Sequence, residues 1–438
     1  MATHHRRRAV GGGVVSAIHA WLAACVRVKH YSVARPLKWR MPGLPAIAHT
    51  SSVDALRHRH AEASQRPTRI RVDLDALTHN LAALRAHTGV PVMGIVKANA
   101  YGHGLVPVAL HLQAQGIEQL GVAFLEEGIA LRQAGVRVPI LVLGGIFGPQ
   151  AAQFIVHDLA ITVSSLDKLR QVEAAAEALG RKATIHLKID TGMERIGVHS
   201  YSAGPFIEAA AASRWCDVAG VYSHLACADD PASPMTAVQL ERFLEACAHF
   251  DRIGAPMPLR HLANSGGVLH FPGTYLDLVR PGIALYGVLP DPASRRSVDL
   301  RPALSLVSQV VYFKVVKAGH PVSYGATWAP ACDTRVVTIP IGYGDGYPRA
   351  LSSRGEVLIR GQRHPIVGRI CMDQFMVDLG PQGTAYNEDA VVLIGHQGEA
   401  QISCEAVAHA AGTIAYEILT GLNGRIPREY LSAQPEPT

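Results

Sequence analysis

The sequence predicts an α/β fold, a (β/α)8 TIM barrel followed by a mostly β C-terminal domain. Its 438 residues exceed the roughly 250 to 300 at which a single core usually stops growing, so two domains are expected. From about Arg69 onward, short runs rich in Val, Ile and Leu alternate with Ala-rich amphipathic stretches, which indicates repeated βα units. Near Arg301 and Pro302 the pattern changes to short strands punctuated by glycine, which indicates a second, mostly β domain.

Eight apolar runs are the predicted strands of the barrel. They are Gly94–Ala100, Leu120–Phe124, Ile140–Gly144, Ala160–Ser164, Thr184–Asp190, Val218–His224, Arg260–Ser265 and Leu276–Gly282. Helices are predicted at Asp75–Thr88, Leu125–Ala134, Leu166–Leu179, Pro205–Ser213 and Thr236–Arg252, with a short turn at Gly266–His270. Eight parallel strands wound with helices form a barrel whose active site lies at the carboxyl ends of the strands.

The C-terminal part is predicted from period-2 alternation of apolar and polar residues. This alternation covers Ser308–Val316, Arg335–Ile341 and Glu356–Arg360, and helical character returns at Ile402–Ala411 and Tyr416–Leu422. We therefore expect an N-terminal extension over residues 1–66, the barrel over 67–301 and the mostly β domain over 302–432.

The net charge of +6 comes from the N-terminal extension. Residues 1–66 carry 11 of the 41 Lys and Arg residues and 2 of the 35 Asp and Glu residues, which leaves the rest of the chain slightly acidic. Nucleic-acid-binding domains usually cluster Lys and Arg on one folded face. The charge distribution therefore argues against nucleic acid as a partner.

The extension is excluded from the predicted fold. Three arginines precede an apolar run at Ala9–Val28, but three glycines and His19 interrupt that run, which argues against a membrane span. We interpret residues 1–66 as a disordered tail, or as the product of a start codon placed upstream of the true start at Met41. The seven cysteines show no C-x-x-C or zinc-finger spacing, so we expect a reducing, cytoplasmic location and no metal site.

Polar residues stand at the ends of several predicted strands. Lys97 ends the first strand after an apolar run that would desolvate its amine, and an amine with a lowered pKa can form a Schiff base. Arg195 follows the fifth strand, and the sixth to eighth strands end at His224, at Asn264 with Ser265, and at Arg280. Each residue alone is usually an ordinary rim group, but together they predict one active site at the barrel mouth.

The loops after the seventh and eighth strands are the places where barrels most often bind phosphate. Here they contain Ser265-Gly266-Gly267 and Gly282-Ile283, and glycine lets backbone N–H groups approach phosphate oxygens closely. A phosphate-bearing cofactor combined with a Schiff-base lysine indicates pyridoxal 5'-phosphate.

Seven motifs resemble those of the alanine racemase family. They are Val96–Gly104, Lys188–Arg195, His261–Ser265 and Arg280–Gly287 in the barrel, and Val322–Thr327, Gly342–Tyr347 and Gly368–Gln374 in the second domain. They occur in order between about Arg69 and Tyr430. Only the extension lies outside the resemblance.

The resemblance implies a two-base racemase acting on alanine. Lys97 would carry pyridoxal phosphate and act as one base, and Tyr324 from the partner subunit of a homodimer would act as the other. Racemisation removes a proton from one face of Cα and returns it on the opposite face, so two flanking groups suit the reaction. His224 would assist the tyrosine, and Arg280 would donate a hydrogen bond to the pyridine nitrogen.

The resemblance also implies the remaining site residues. Cofactor contacts would come from Tyr101, Asn264, Ser265, the backbone of Gly282 and Ile283, and Tyr416. Substrate contacts would come from Arg195 and the backbone N–H of Met372. The entrance would be formed by Tyr343, Tyr416, Asp229, Arg349 and Arg369, with Asp373 in support. Lys188 is either a carbamylated lysine that braces Arg195, as in many family members, or part of an ordinary ion pair.

The sequence leaves other functions open. A racemase of serine or of a broader set of amino acids is the nearest alternative. Decarboxylases of basic amino acids and single-domain cofactor carriers also use a lysine on the first strand, but neither explains Tyr324 or the segment around Met372. A non-catalytic cofactor-binding module would leave Tyr324 and Arg195 without a role. The family's product, D-alanine, would serve peptidoglycan synthesis.

Overall fold

The computed structural model describes residues 66–432, except 292–293 and 295–296. The prediction for the extension therefore lies, apart from Arg66, outside the described residues. Within them, no helix combines the length and the apolar character needed to cross a membrane.

Eighteen strands and ten right-handed α-helices form the described fold. The strands are β1 (Arg69–Asp73), β2 (Met93–Ile95), β3 (Gln119–Val122), β4 (Ile140–Val142), β5 (Ala160–Val163), β6 (Ala183–Asp190), β7 (Val198–His199), β8 (Cys216–Tyr222), β9 (Leu259–His261), β10 (Leu304–Gln309), β11 (Tyr312–Val316), β12 (Thr334–Ile339), β13 (Glu356–Ile359), β14 (Gln362–Val367), β15 (Phe375–Gly380), β16 (Ala390–Gln397), β17 (Ala400–Ile402) and β18 (Arg428–Leu431). The helices are Leu74–Thr88, Leu105–Ala114, Leu125–Gln133, Ala151–Val156, Leu166–Leu179, Gly204–Ala211, Met235–Arg252, Ser265–His270, Cys404–Ala411 and Ala415–Gly421.

The predicted barrel and the β domain are both present. Strands β2, β3, β4, β5, β6, β8 and β9 pair in parallel in that order, and β7 pairs with β6. Most residues of these strands are buried, because helices cover the outside while side chains fill the inside. The apolar runs in the sequence reflect this two-sided burial.

The eighth predicted strand, Leu276–Gly282, is not a regular strand. It is an extended segment that closes the ring: the Met93 N–H donates to Val279 O at 2.8 Å on one side, and the Arg280 N–H donates to Ala263 O at 3.0 Å on the other. The segment forms a single isolated bridge with the first barrel strand. A continuous ladder is prevented because the segment contains a proline, which has no N–H.

The first predicted strand, Gly94–Ala100, was too long. Strand β2 ends at Ile95, and Ala98, Asn99, Ala100 and Tyr101 form a left-handed turn with φ between 52° and 56°. Each non-glycine residue in this conformation costs roughly 1–2 kcal/mol. Composition gives little warning of such a turn, since asparagine is the only one of the four that often adopts it.

The second sheet contains a strand from the beginning of the described chain. Its order is β11–β12–β15–β14–β13–β16–β10–β1–β18, with β17 beside β16. Strand β1 pairs antiparallel with β10 and parallel with β18. The sheet of the mostly β part is therefore completed by residues that precede the barrel in sequence.

The predicted strand Ser308–Val316 is two strands. The chain breaks between β10 and β11, where the Val310 N–H donates to Asp389 O and the Val311 N–H donates to Thr338 O, both at 3.0 Å. Strand β10 continues the sheet beside β16, whereas β11 pairs with β12 at its far edge. The break falls in an uninterrupted apolar run, Val310–Phe313, with no glycine or proline to mark it, so the sequence pattern did not reveal it.

Residues around β18 hold the left-handed turn that follows Lys97. The Arg428 guanidinium donates to Gly102 O at 3.0 Å, and the Tyr430 hydroxyl donates to His103 O at 3.1 Å. A Cβ on Gly102 would lie 2.1 Å from Leu419 O, so this close approach requires glycine. The two parts of the chain therefore meet directly behind the barrel mouth.

Candidate active site

A cavity of about 260 Å³ opens at the carboxyl ends of the barrel strands. Ten of the predicted site residues line it: Lys97, Tyr101, Lys188, Arg195, His224, Asn264, Ser265, Arg280, Gly282 and Tyr416. Its lining contains four basic side chains and, among the described residues, no carboxylate. Such a cavity favours a small ligand with anionic groups.

Lys97 enters the cavity directly after β2. Burial lowers the pKa of its amine, the positive charge of Arg195 lowers it further, and Glu127 opposes the shift. The Glu127 carboxylate accepts hydrogen bonds from the Ala98 N–H at 2.7 Å and the Ala123 N–H at 2.8 Å. It thereby ties the start of the left-handed turn to the end of β3 and fixes the direction in which the lysine leaves the strand.

Ser265 and Gly282 form an anion cradle on the opposite side of the mouth. The Ser265 oxygen accepts hydrogen bonds from the Gly282 N–H at 2.9 Å and the Ala284 N–H at 3.2 Å. Because a hydroxyl has two lone pairs and one proton, the Ser265 O–H remains free to donate. A Cβ on Gly282 would lie 2.3 Å from the Tyr101 hydroxyl oxygen, so only glycine leaves room for this arrangement.

Two tyrosines complete the cradle. The rings of Tyr101 and Tyr416 lie 6.1 Å apart between centroids, and both line the cavity. Burial raises the pKa of each hydroxyl well above its usual value, so both remain protonated donors. An anion placed here would therefore meet several O–H donors.

Arg280 lies at the floor of the cavity and is almost completely buried. Its guanidinium donates to Ser223 O at 2.7 Å, to Leu262 O at 3.1 Å and to His261 Nδ1 at 2.9 Å. Burial lowers its pKa to about 10, which still leaves it charged at neutral pH. These three bonds fix the plane of the guanidinium.

Tyr222 packs against the cationic groups of the cavity floor. Its ring lies 4.8 Å from Lys188 Nζ and 5.2 Å from Arg280 Cζ, distances at which a ring face attracts a cation. Its hydroxyl is 2.7 Å from Thr162 Oγ1 and donates to Leu143 O at 3.2 Å. The ring is therefore fixed from behind.

Lys188 is buried, and its Nζ has no hydrogen-bond partner among the described residues. Burial lowers its pKa to about 7, and the charge of Arg280 acts in the same direction. Much of the amine is therefore neutral at physiological pH. The ordinary ion pair that the sequence left open does not form, although Asp190 is close enough to favour the charged amine.

Asp190 builds the loop that presents Arg195. Its Oδ1 accepts the N–H groups of Gly192 at 2.8 Å and Met193 at 3.0 Å, and its Oδ2 accepts the Arg195 N–H at 3.2 Å. These bonds lower the carboxyl pKa and outweigh the opposing effect of burial, the largest single influence. The guanidinium is thereby directed into the cavity.

His224 is half-buried and lines the cavity. Burial lowers its pKa well below the usual value, and the positive charges of Arg280, Lys188, Arg195 and Lys97 add to that effect. A neutral imidazole can accept a proton or a hydrogen bond.

The remaining predicted residues lie outside this cavity. Six of them, Tyr324, Tyr343, Arg349, Arg369, Met372 and Asp373, belong to the C-terminal part of the chain. Tyr324 is 70 % exposed and Met372 52 %, so large parts of both side chains face outward. Asp229 lies beside Gly266, and Ile283 is fully buried behind the cradle.

The exposed C-terminal residues are held by a common backbone framework. The Tyr343 N–H donates to Cys371 O at 3.1 Å, and the Gly344 N–H donates to Met372 O at 2.8 Å. The Ser323 hydroxyl donates to Arg369 O at 2.5 Å. The segments around Tyr324, Tyr343 and Met372 therefore form one continuous surface.

Sequence reasoning missed several residues that line the cavity or support its lining. Glu127, His186, Asp190 and Tyr222 were not predicted as site residues. A signal for two of them was present, because His186 and Asp190 flank Lys188 at alternate positions of β6 and so point to the same side as that lysine. Nothing in the sequence linked Glu127 to Lys97.

Fold and cavity together define a barrel enzyme with a mostly β C-terminal part and a lysine in a mouth rich in basic side chains. Residues 72–290 match the family described as "Alanine racemase, N-terminal domain", and residues 303–430 match "Alanine racemase, C-terminal domain". An alanine racemase of Symbiobacterium thermophilum is 43 % identical over 366 residues, covering 83 % of this chain and 97 % of the relative. One of Desulforamulus reducens is 41 % identical over 364 residues, covering 82 % and 98 %.

Solved structures agree with these relatives. The alanine racemase of a D-cycloserine-producing Streptomyces lavendulae superposes with a TM-score of 0.81 at 40 % identity, covering 85 % of this chain and 98 % of that one. The Bartonella henselae alanine racemase, with covalently bound pyridoxal phosphate, gives 0.77 at 30 % identity, covering 84 % and 100 %. The chain belongs to the alanine racemase family, whose members are isomerases, and the resemblance found in the sequence is confirmed.

Proposed function

We propose that this chain interconverts L-alanine and D-alanine with pyridoxal phosphate held at Lys97, as a homodimer in which Tyr324 of each subunit completes the cavity of the other. The observation that carries the proposal is the cavity itself. It brings a desolvated lysine together with three further basic side chains and an anion cradle, and its lining contains no carboxylate among the described residues. The family relationship supports the substrate.

The residues of the cavity fit pyridoxal phosphate. The free Ser265 O–H and the hydroxyls of Tyr101 and Tyr416 would donate to its phosphate, with the backbone of Gly282 and Ile283 alongside. Arg280 would donate to its ring nitrogen while keeping its own proton, because a guanidinium remains charged near neutral pH. When bound, the cofactor would supply an electron-withdrawing group that acidifies the Cα–H of an attached amino acid.

Lys97 supplies one of the two bases. Its lowered pKa favours the neutral amine, which is the form that accepts a proton. The hydroxyls of Tyr101 and Tyr416 are unsuited to be the second base, since burial raises their pKa. An exposed Tyr324 on a surface that already contains other predicted entrance residues supports a second base supplied across a subunit interface.

Arg195 and the size of the entrance favour alanine. The guanidinium would pair with the substrate carboxylate, as would the backbone N–H of the partner subunit's Met372. Tyr343 and Tyr416 would narrow the entrance, with Asp229, Arg349 and Arg369 further out and Asp373 in support. A narrow gate selects a methyl side chain over larger ones, and D-alanine would serve peptidoglycan synthesis.

The first test is chiral analysis of purified protein supplied with pyridoxal phosphate and a panel of L-amino acids. We expect D-alanine to form fastest and the Lys97→Ala variant to be inactive. If L-serine or a basic amino acid reacts faster than L-alanine, the substrate assignment is wrong. If no amino acid is racemised, the proposed activity itself is wrong.

Mixed dimers test the contribution of Tyr324 in trans. Co-expressed Lys97→Ala and Tyr324→Phe chains, each inactive alone, would give mixed dimers with one intact site out of two. Random assortment should then restore about a quarter of the wild-type activity. If Tyr324 acts within its own subunit, every site retains one defect and no activity returns.

A further inference from the structure

His186 lies on the floor of the barrel, outside the predicted set of site residues. It is 3 % exposed, and its Nδ1 is 2.9 Å from Nε2 of His261. His261 in turn receives the Arg280 guanidinium at its Nδ1, also at 2.9 Å. The three side chains therefore form a continuous hydrogen-bonded chain that ends at the cavity.

The direction of this chain follows from the chemistry of arginine. A guanidinium has donors and no acceptor, so His261 Nδ1 must be unprotonated. His261 is then the neutral tautomer with its proton on Nε2, and that proton is donated to His186 Nδ1. His186 Nδ1 must likewise be unprotonated, so both imidazoles are neutral.

The surroundings agree with two neutral imidazoles. Burial lowers the pKa of His186 to about 3 and that of His261 well below its usual value, and the charge of Arg280 adds to both shifts. A cationic imidazole here would place a second positive charge beside a buried guanidinium. Both hydrogen bonds of this series are therefore donated in the direction from Arg280 through His261 to His186.

Packing holds the three hydrogen-bonded side chains in place. The His261 ring stacks on Tyr222 with centroids 4.7 Å apart and an angle of 6° between the planes. Gly220 faces the His186 ring, and a Cβ at that position would lie 2.3 Å from His186 Nδ1. The glycine thus provides the space in which His186 can turn its acceptor nitrogen toward His261.

We infer that His186 is a positioning residue for Arg280: as the last acceptor of the chain, it holds His261 in the only tautomer that can receive the guanidinium. Arg280 is the group expected to face the ring nitrogen of the cofactor, so His186 acts on the reaction without touching it. The activity readout of this inference rests on the proposed function. The tautomer of His261 can be measured independently of the proposed function.

Two substitutions separate hydrogen bonding from packing. His186→Asn keeps an acceptor near the position of Nδ1, whereas His186→Leu keeps most of the volume and removes the acceptor. We expect His186→Leu to lower kcat about 10-fold with KM changed less than about 2-fold, since loss of an outer-shell partner typically costs 10 to 100-fold. Its cofactor absorption maximum should shift, and His186→Asn should stay within about 3-fold of wild type.

Gly220→Ala offers an independent route to the same defect, because its methyl group would displace the His186 ring. We expect it to reproduce the kcat and absorption changes of His186→Leu. The inference is overturned if His186→Leu keeps the wild-type kcat and spectrum. It is equally overturned if His186→Asn and His186→Leu lose the same activity, since volume alone would then explain the effect.

A measurement on the wild-type holoenzyme tests the inference even where a variant does not fold. Imidazole ¹⁵N chemical shifts distinguish the two neutral tautomers, and the folded His186→Asn spectrum assists assignment. We expect His261 to carry its proton on Nε2 and to remain neutral from pH 6 to pH 9. A proton on Nδ1 contradicts the inference, whether or not the protein racemises alanine.

Discussion

The most informative residue of the cavity is Arg280, a buried cation that keeps its charge at neutral pH. Removing a charged group from water is costly unless an opposite charge compensates it, and the lining contains no carboxylate among the described residues. The anionic cofactor that we propose would supply the compensating charge. Individual donors around the cradle should contribute measurable cofactor affinity.

Ser265→Ala should weaken binding of pyridoxal phosphate. A hydrogen bond to a charged group contributes about 1.5–3 kcal/mol, which corresponds to a loss of roughly 10 to 100-fold in affinity. Absorbance titration of the apoprotein measures this directly. Ser265→Thr, which keeps the hydroxyl, is the matched control, and equal affinities for the alanine and threonine variants would contradict the cradle assignment.

Lys188 should form a carbamate in a pH-dependent way. Only the neutral amine reacts with carbon dioxide, and the neutral fraction grows as the pH rises through the lowered pKa of about 7. With ¹³C-labelled bicarbonate, a carbamate ¹³C signal should therefore increase between pH 6 and pH 8. The Lys188→Ala variant provides the baseline; a signal that is absent at pH 8, or unchanged in that variant, would exclude modification at this lysine.

Among the structural elements, the left-handed turn after Lys97 has the greatest local strain. Its four residues have positive φ, and three of them are types that seldom adopt it. The turn is held by Glu127 on one side and by Arg428 and Tyr430 on the other. The strain is thus compensated by contacts from distant parts of the chain.

Glycine should relieve this strain at Ala98, which is exposed. Relief of about 1–2 kcal/mol is partly offset by the roughly 0.5–1 kcal/mol entropic cost of glycine, so Ala98→Gly should be slightly stabilising. Ala174, exposed in the middle of a helix, should lose about 1 kcal/mol when changed to glycine. Denaturant unfolding of both variants checks the difference in sign; equal destabilisation would contradict the assigned strain.

How far the elements could be predicted depends on how local their causes are. Seven barrel strands were predicted because burial on both faces produces apolar runs that can be read residue by residue. The break between β10 and β11 depends on hydrogen bonds to Asp389 and Thr338, which are distant in sequence. The irregular eighth segment and the left-handed turn likewise depend on contacts that no local pattern contains.

For the whole molecule, Asp345 joins the two ends of the described chain. Its fully buried carboxylate accepts both terminal nitrogens of Arg66 at 2.8 Å and the Gly342 N–H at 3.1 Å. Arg425 lies 3.4 Å from Asp345 and contacts Asp373 at 2.6 Å. This network supports the loop that carries Tyr343.

Arg66→Ala should therefore destabilise the protein and disturb the entrance. Loss of hydrogen bonds to a buried charge should cost about 2 kcal/mol and raise KM for alanine more than it lowers kcat. Arg71→Ala is the control, because its ion pair with Glu429 is exposed and such pairs contribute about 0–1 kcal/mol. Thermal melts measure the stability of the two variants, and steady-state kinetics measure their KM and kcat. Equal stability and equal kinetics of the two variants would show that Arg66 has no special role.

The sequence pattern alone predicted only the part of the candidate site that forms within a single polypeptide chain. Nine of the ten predicted residues that line the cavity stand near or after the ends of barrel strands, which share a common rim, and Tyr416 comes from a helix of the C-terminal part. Tyr324 and Met372 were named through the family motifs, and their surface lies away from the cavity of their own subunit. The Arg280–His261–His186 chain needed coordinates, since hydrogen-bond direction is a property of three dimensions.

The contact of β18 with the turn after Lys97 sets an order of events during protein synthesis. Arg428 follows Gly102, which it holds, by 326 residues. Ribosomes add about 5–20 residues per second, so the turn waits roughly 15 to 60 seconds for its clamp. During that interval the barrel strands can pair, but the strained lysine turn has no support from Arg428 or Tyr430. If the proposed cofactor binds at Lys97, the contacts that hold its turn would be complete only after translation has passed β18, and a chain that stops short of β18 would lack them.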